Sequence, residues 1–591
     1  MGEPFEDSRR LTGANLYFDD PGAALEAAPG VAFDASVLVR WRDNIVRARA
    51  ALRWADGAIV VREHATGASL AFAAPIDQLY VATEVNEWAW YAALGLRADA
   101  MPVDEESESP RPHVAHFDDA EALRQLRALA QAEAKPALVA LIDAAHVHGV
   151  PAHADDEVLS IGEGETSQSW PLGALPGIDA VPWARLHGIP KAVVTGSNGK
   201  TTTVRLLAAM LRAHGLRAGY SSTDGLFIDG ERVDAGDYSG PVGARTVLRD
   251  ARVQAAVLET ARGGLLRRGL VANDARVAIV TNVSADHFGE YGIHTLGDIA
   301  AVKLVVAKSL APDGMLVLNA DDMTLVEHAA SVQAPRIAWF ALNFAVARSH
   351  GLPACGVRDG RLVLATEDGE SDLGDIAAMP LTIGGSARYN IANIAAASLV
   401  AWAMGVPANI VSGVLARFGA SNADNPGRLQ RWWLGDVEVL LDYAHNPDGL
   451  RGLLEVARGR RGSGRMALLL GHAGNRLDED VRALAMVAAD AKPDRVWLKD
   501  IGGDYLRGRA SGEIAGILRD TLLAAGMHGD ALSVCLDEAQ AVREALAWAR
   551  AGDLLVLPVH EPSARDAVVA LLDTLQNSGW RAGAPLPAFP G

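Results

Sequence analysis

The sequence predicts an α/β protein, and three observations predict it. From 186 to about 425, short apolar runs alternate with amphipathic stretches, the pattern of a mostly parallel sheet covered by helices on both faces. The apolar run Ala192-Val-Val194 leads through Gly196-Ser-Asn-Gly-Lys200 into the helical pattern Val204–Leu211, the strand, glycine loop and helix of a P-loop. From about 426 to 591 the alternation resumes without a second such loop. Together they predict a central P-loop domain on a mostly parallel sheet (186–425), a second, smaller Rossmann-like α/β domain (426–591) and an α+β N-terminal domain (1–185).

The N-terminal region is expected to hold strands at Ala58–Val61 and Leu79–Ala82 and helices over 118–134 and 137–148. Residues 106–113 read as a polar, proline-bearing loop, and 162–177, rich in Gly and Ser, as a linker zone. Glu84, Asn86 and Glu87 with Trp88 and Trp90 form a cluster read first as structural, with substrate contact as the alternative. Central strands are expected at Ala192–Thr195, Ala255–Leu258, Val277–Thr281 and Met315–Leu318. In the last domain they are expected at Val437–Leu441, Met466–Leu470, Arg495–Leu498 and Leu554–Val559. Asn425-Pro-Gly427 is a turn and a hinge candidate, and 583–591 reads as an irregular tail.

Composition narrows the function. With 54 basic against 73 acidic residues the net charge is −19, which argues against a nucleic-acid or membrane-surface binder. Only Cys355 and Cys535 are present, without paired Cys/His spacing, so neither a disulfide framework nor a structural zinc is expected. The first ten residues are polar, lacking a signal peptide's apolar core, and no apolar run approaches the ~20 residues of a membrane span. A cytoplasmic protein is the expectation.

Four constellations carry chemistry. In the first, backbone N–H groups of Gly196, Ser197, Asn198, Gly199 and the helix start would face phosphate oxygens, Lys200 would reach the β- and γ-phosphates, and Thr201, followed by Thr202, would ligate Mg²⁺. The strict pattern places a glycine where this chain has Val194. Glu259 and His287 follow the next strand ends, where ligands on such sheets bind, and would hold metal, with two ions expected; a helix cap is the alternative for Glu259. The second is basic, Arg262, Arg267 and Arg268 around Gly263-Gly264, suited to carboxylates or phosphates if it is not a solvated cluster. The third is Asn390 and Asn393, three apart on one helical face, placed to read an adenine edge or to cap a helix. The fourth is Asp442-Tyr-Ala-His-Asn-Pro447, where Asp442 would hold a ribose hydroxyl and His445 and Asn446 a substrate.

These motifs, with Asn282, Asp286 and Asn425-Pro-Gly-Arg428, stand in the order found in Mur ligases, and over 186–591 the chain resembles that family of ATP-dependent amino acid ligases. Leu258-Glu-Thr-Ala-Arg-Gly-Gly264, Asn475-Arg-Leu-Asp-Glu-Asp-Val481 and Leu506-Arg-Gly-Arg509 with Gly512-Glu513 are similar to the Mur-like half of cyanophycin synthetases, and Arg9–Tyr17 is similar to their N-terminal domain. About 185 residues before the P-loop domain leave no room for the ATP-grasp domain those enzymes carry between the two parts. The resemblance implies ATP, Mg²⁺ and a carbamylated lysine at Lys303, with Lys308 as second choice. It also implies that Arg428 and Asp442 close on the nucleotide, and that the amine donor is bound near Asn475, Arg476, Asp478, Arg507, Arg509 and Glu513.

The expected activity is ligation of an amino acid to a carboxylate of a small acid or aspartate-rich acceptor through an acyl phosphate. The expected partners are that acid or polymer and the amino acid, with no nucleic acid or membrane; a homo-oligomer is a possibility. The alternatives are a nucleotide-binding regulatory partner of a polymer synthetase and a peptidoglycan- or folate-type ligase.

Overall fold

The computed structural model describes residues 3–96, 119–286 and 288–588. Its centre is an eleven-stranded sheet. Seven neighbouring strands run parallel, in the order Ala218–Ser222, Ala255–Glu259, Lys191–Thr195, Ala275–Val280, Leu310–Asn319, Ile337–Asn343 and Ala354–Arg358. Antiparallel strands extend both edges. The parallel strands are apolar on both faces because both are covered. Ala192, Val194, Val257 and Ile279 pack toward helices Lys200–Ala213 and Arg388–Ala403. The alternate residues Val193, Leu258, Ala278 and Val280 pack toward Pro241–Arg249 and Leu296–Leu304. The P-loop strand lies between the strands that end at Glu259 and Val280. Their following loops therefore open on one carboxyl edge.

The last domain is a six-stranded sheet in the order Gln430–Leu434, Val437–Asp442, Leu554–Pro558, Met466–Leu470, Arg495–Leu498 and Leu532–Val534, parallel except for the first pair. Its carboxyl edge faces the P-loop, and the Asn446 amide donates to Asn198 Oδ1 at 3.0 Å across the cleft. Asn425 in the hinge is buried and tied to the P-loop helix: Arg205 donates to its Oδ1 and its amide donates to the Thr202 hydroxyl.

At the N-terminus an antiparallel sheet, in the order Phe5–Leu11, Gly22–Ala27, Gly67–Ala73, Ile59–His64, packs against helices Ala35–Leu52 and Leu79–Leu94. It docks on the central domain through Arg9 Nε to Leu266 O (2.9 Å), Thr12 N–H to Arg268 O (2.8 Å) and an Arg62–Asp298 ion pair.

Two expectations change here. Leu79–Ala82 is not a strand but the first turn of helix Leu79–Leu94. The short apolar run is ambiguous by itself; its continuation through Val85, Trp88 and Ala89 buries a helix on most sides. Residues 162–177 are not simply a linker: Gln168–Pro171 completes a three-stranded antiparallel sheet with Ala152–Ala154 and Val158–Ile161, after a turn in which Gly162 and Gly164 take positive φ. The Trp-rich cluster is structural, with Asn86 accepting from Trp41 Nε1 and donating to Leu70 O. Residues 106–113 and His287 lie outside the described residues. Both cysteines are free. Among the described residues no helix is long and apolar enough to cross a membrane.

Candidate active site

The loop 196–199 is held open by its neighbours. Ser197 N–H donates to Asn282 O and Asn198 N–H to Asn282 Oδ1, both at 2.9 Å, so these two N–H groups, expected to face phosphate, are instead taken by Asn282; Thr281 Oγ1 donates to Asn198 O at 2.6 Å. Gly196 has φ +151°, and a Cβ there would lie 1.8 Å from Thr281 Oγ1. Gly199, at φ +85°, occupies the N-cap of helix Lys200–Ala213, and no side chain caps that helix. Its first N–H groups and the dipole are thus presented to an anion. Lys200 folds over the loop, Nζ donating to Gly196 O (3.0 Å) and Ser197 O (3.3 Å).

Glu259 ends its strand beside this loop with 1% exposure. Thr201 Oγ1 donates to one of its oxygens at 2.9 Å and Thr223 Oγ1 to the other at 2.8 Å. Burial raises the Glu259 pKa, against the opposing pull of Lys200. A buried carboxylate held only by hydroxyls next to an open helix N-terminus fits a divalent cation taking oxygen ligands. Among the described residues no group of three His, Cys, Asp or Glu side chains is placed to hold a metal ion, so such an ion would rest on Thr201, Glu259 and phosphate oxygens rather than on an all-protein cage.

Two cavities meet at Lys200. One, of about 380 Å³, runs from the P-loop between the domains; Asn390, Asn393, Arg428, Asp442 and His445 line it. Asn393 donates to Asn390 Oδ1, and Asn390 is anchored on Leu381 O, so neither caps the helix start. Arg428 lies over the Tyr443 ring, 4.4 Å from its centroid. Asp442 accepts from Leu429 N–H at 2.6 Å, and burial raises its pKa. The other cavity, of about 590 Å³, is lined by Arg262, Arg267, Lys303, Asn475, Arg476 and Arg507, with His445, His472 and His560. Lys303 has 3% exposure, and burial, then the charge of Lys200, pushes its pKa well below the usual lysine range. Burial likewise lowers His445 to about 4, so it is neutral at pH 7. A larger trough of about 1190 Å³ opens at the amino ends of the strands, away from every P-loop group.

Some expected residues lie elsewhere. Arg509 pairs with Asp478 (2.9 Å) and Glu513 (2.7 Å) and donates to Gly474 O; these three brace the loop presenting Asn475 and Arg476 and line neither cavity. Asn446, expected at the substrate, caps helix Pro447–Arg460 through Gly449 N–H and ties it to Asn198. Lys308 bonds Asn15 O and Asp19, far from Lys303's cavity. Sequence reasoning missed Thr223 and Asp224, whose signal was a polar Ser221-Ser-Thr-Asp-Gly225 run at the end of a strand. It also missed Arg205, a charge inside an apolar helix face, and Arg565.

Residues 194–401 match the Mur ligase middle domain, and 427–558 match the Mur ligase glutamate ligase domain. The cyanophycin synthetase of Crocosphaera subtropica is 38% identical over 381 residues, which are 62% of this chain and 42% of that protein. The UDP-N-acetylmuramoyl-L-alanyl-D-glutamate–2,6-diaminopimelate ligase of Ectopseudomonas mendocina is 30% identical over 423 residues, 69% of this chain and 79% of that protein. The chain spans less than half the length of the cyanophycin synthetases it matches.

Proposed function

The chain belongs to the Mur ligase family, and from that premise we propose that it is an ATP-dependent carbon–nitrogen ligase joining an amino acid to an acid's carboxylate. The observation that carries the reading is the position of Lys200, at the open helix end where the two cavities meet. ATP occupies the smaller cavity, its adenine toward Asn390 and Asn393 and its phosphates on the N–H groups at the start of helix Lys200–Ala213. The acid lies in the larger cavity among Arg262, Arg267 and Arg507, which suit a substrate with several carboxylates, such as an aspartate-rich acceptor.

The acid's carboxylate oxygen attacks the γ-phosphorus. The bond to the β-phosphate oxygen breaks, giving an acyl phosphate and ADP. The amine nitrogen then attacks the acyl carbon, phosphate leaves with the C–O electron pair, and the nitrogen loses a proton. Lys200 and the N–H groups at the helix start stabilise the charge on the moving phosphoryl group. Thr201 and Glu259 would hold Mg²⁺, which when bound neutralises phosphate charge. Burial disfavours the charged form of Lys303 and so favours the free amine that carbamylation by CO₂ requires, and its carbamate together with His287 would hold a second ion. The amine donor enters from the last domain past Asn475, Arg476 and Arg507. Closure of that domain excludes water from the acyl phosphate.

A second reading, a peptidoglycan-type ligase, is favoured by the match over 79% of the diaminopimelate ligase. Phosphate release from ATP, measured with each amino acid with and without an aspartate-rich peptide or a uridine-nucleotide-linked acid, separates the two. A product lighter by one water than acid plus amine names the substrates. Lys200→Ala should lower that release at least about 100-fold; wild-type rates in this variant contradict the reading.

A further inference from the structure

The turn after the strand Ala218–Ser222 places two polar residues back to back. Thr223 faces the site and donates to Glu259. Asp224, its neighbour, faces away and meets three guanidinium groups. Oδ2 pairs with Arg205 at 2.8 Å and Arg428 at 3.3 Å, and Oδ1 with Arg565 at 2.9 Å. The three arginines come from different parts of the chain: Arg205 from the P-loop helix, Arg428 from the hinge, Arg565 from the first turn of helix Pro562–Asn577 in the last domain. All four side chains are at most 15% exposed. Arg205 also donates to Asn425 Oδ1 and Pro426 O, so the hinge is gripped from the same side.

We propose that Asp224 is a positioning residue that latches the last domain and the hinge onto the central domain and thereby aims Arg428 into the nucleotide cavity. Only Arg428 among the three lines that cavity. Its guanidinium is fixed from one side by Asp224 and stacked on Tyr443 from the other. Without the carboxylate, three arginines would repel one another across the domain boundary, and the domains would separate. Because Thr223 orients the metal-site carboxylate while Asp224 orients the domain boundary, one turn couples cation site and closure. The nucleotide part of this inference rests on the ligase reading; the latch itself does not.

The test uses the nucleotide-free full chain, with small-angle X-ray scattering and limited proteolysis of the hinge around 419–428. Arg565→Ala removes only the last domain's partner and leaves the Asp224–Arg428 pair, so it keeps the test valid if Asp224→Asn fails to fold. Both variants should enlarge the radius of gyration and speed hinge cleavage at least about tenfold, since each breaks a buried ion pair. Arg565→Lys should restore part of the protection. Cleavage of the double variant should be no faster than that of Asp224→Asn, because Asp224→Asn already removes the link to Arg565. Wild-type scattering and cleavage in Arg565→Ala overturn the latch, as does a double variant additive in both. In a separate assay with ATP, Asp224→Asn should raise KM for ATP through Arg428, whereas Arg565→Ala should lower kcat more than it raises KM. Loss of phosphate release in wild type counts against the ligase reading and leaves the scattering result to decide the latch.

Discussion

Individual side chains here are set by burial more than by sequence neighbours. Lys303 sits on a helix that is apolar apart from its capping box, and both burial and Lys200 disfavour its charged form. An uncharged lysine amine takes up CO₂, so the protein in ¹³C-bicarbonate should show a carbamate carbonyl resonance that Lys303→Arg lacks. His445 is held at about 4 against an ordinary value of 6.5, with burial as the largest cause. The unfolded chain therefore binds a proton over this window that the native chain refuses. Its stability contribution is whole above pH 6.5 and is lost as pH falls toward 4. Thermal midpoints measured from pH 7 to pH 4 should fall, and fall less steeply in His445→Gln. His445 was legible as a candidate from its motif, and Lys303 only through the family resemblance. Their protonation states were not, because charge here depends on groups distant in sequence.

At the scale of elements, the P-loop shows a local pattern resolved by its surroundings. Strand, loop and helix were readable because an apolar run, two glycines and a helical period follow one another within twenty residues. What holds the loop open is not local: more than eighty positions on, Thr281 fills the space a side chain at Gly196 would need and Asn282 accepts from the loop N–H groups. Gly196→Ala should cost about 1–3 kcal/mol of stability for the strained backbone and contact, with weaker nucleotide binding, read by chemical denaturation and by titration with ADP. Leu79–Ala82 is the reverse case. Four apolar residues fit a buried strand or a buried helix equally, and the helix won because its apolar positions continue for three more turns against the N-terminal sheet.

For the whole molecule, the chemistry depends on how three domains are pressed together. Arg9 is the central rivet of the N-terminal contact: it pairs with buried Glu26 at 2.7 Å, donates to Leu266 O and lies over Tyr291. Leu266 belongs to helix Arg262–Arg268, which carries three of the arginines lining the cavity of about 590 Å³, Arg262, Arg267 and Arg268. Arg9→Ala should cost about 3–5 kcal/mol by leaving Glu26 buried without its cation. It should also raise KM for the acid while leaving nucleotide affinity unchanged, as measured by steady-state kinetics and ADP titration.

Periodicity, glycine spacing and motif order determined the α/β class, the P-loop and the carboxyl-edge positions of Glu259 and Asp442, since each arises from residues adjacent in the chain. Tertiary structure alone decided that Asn446 caps a helix, that Arg509 pairs with both Asp478 and Glu513, that Thr223 orients Glu259, and that Asp224 gathers three arginines. The reason is physical. A buried polar group must find a partner, and the partner is whichever group the packing of separate strands and helices brings within about 3 Å, at any distance along the sequence.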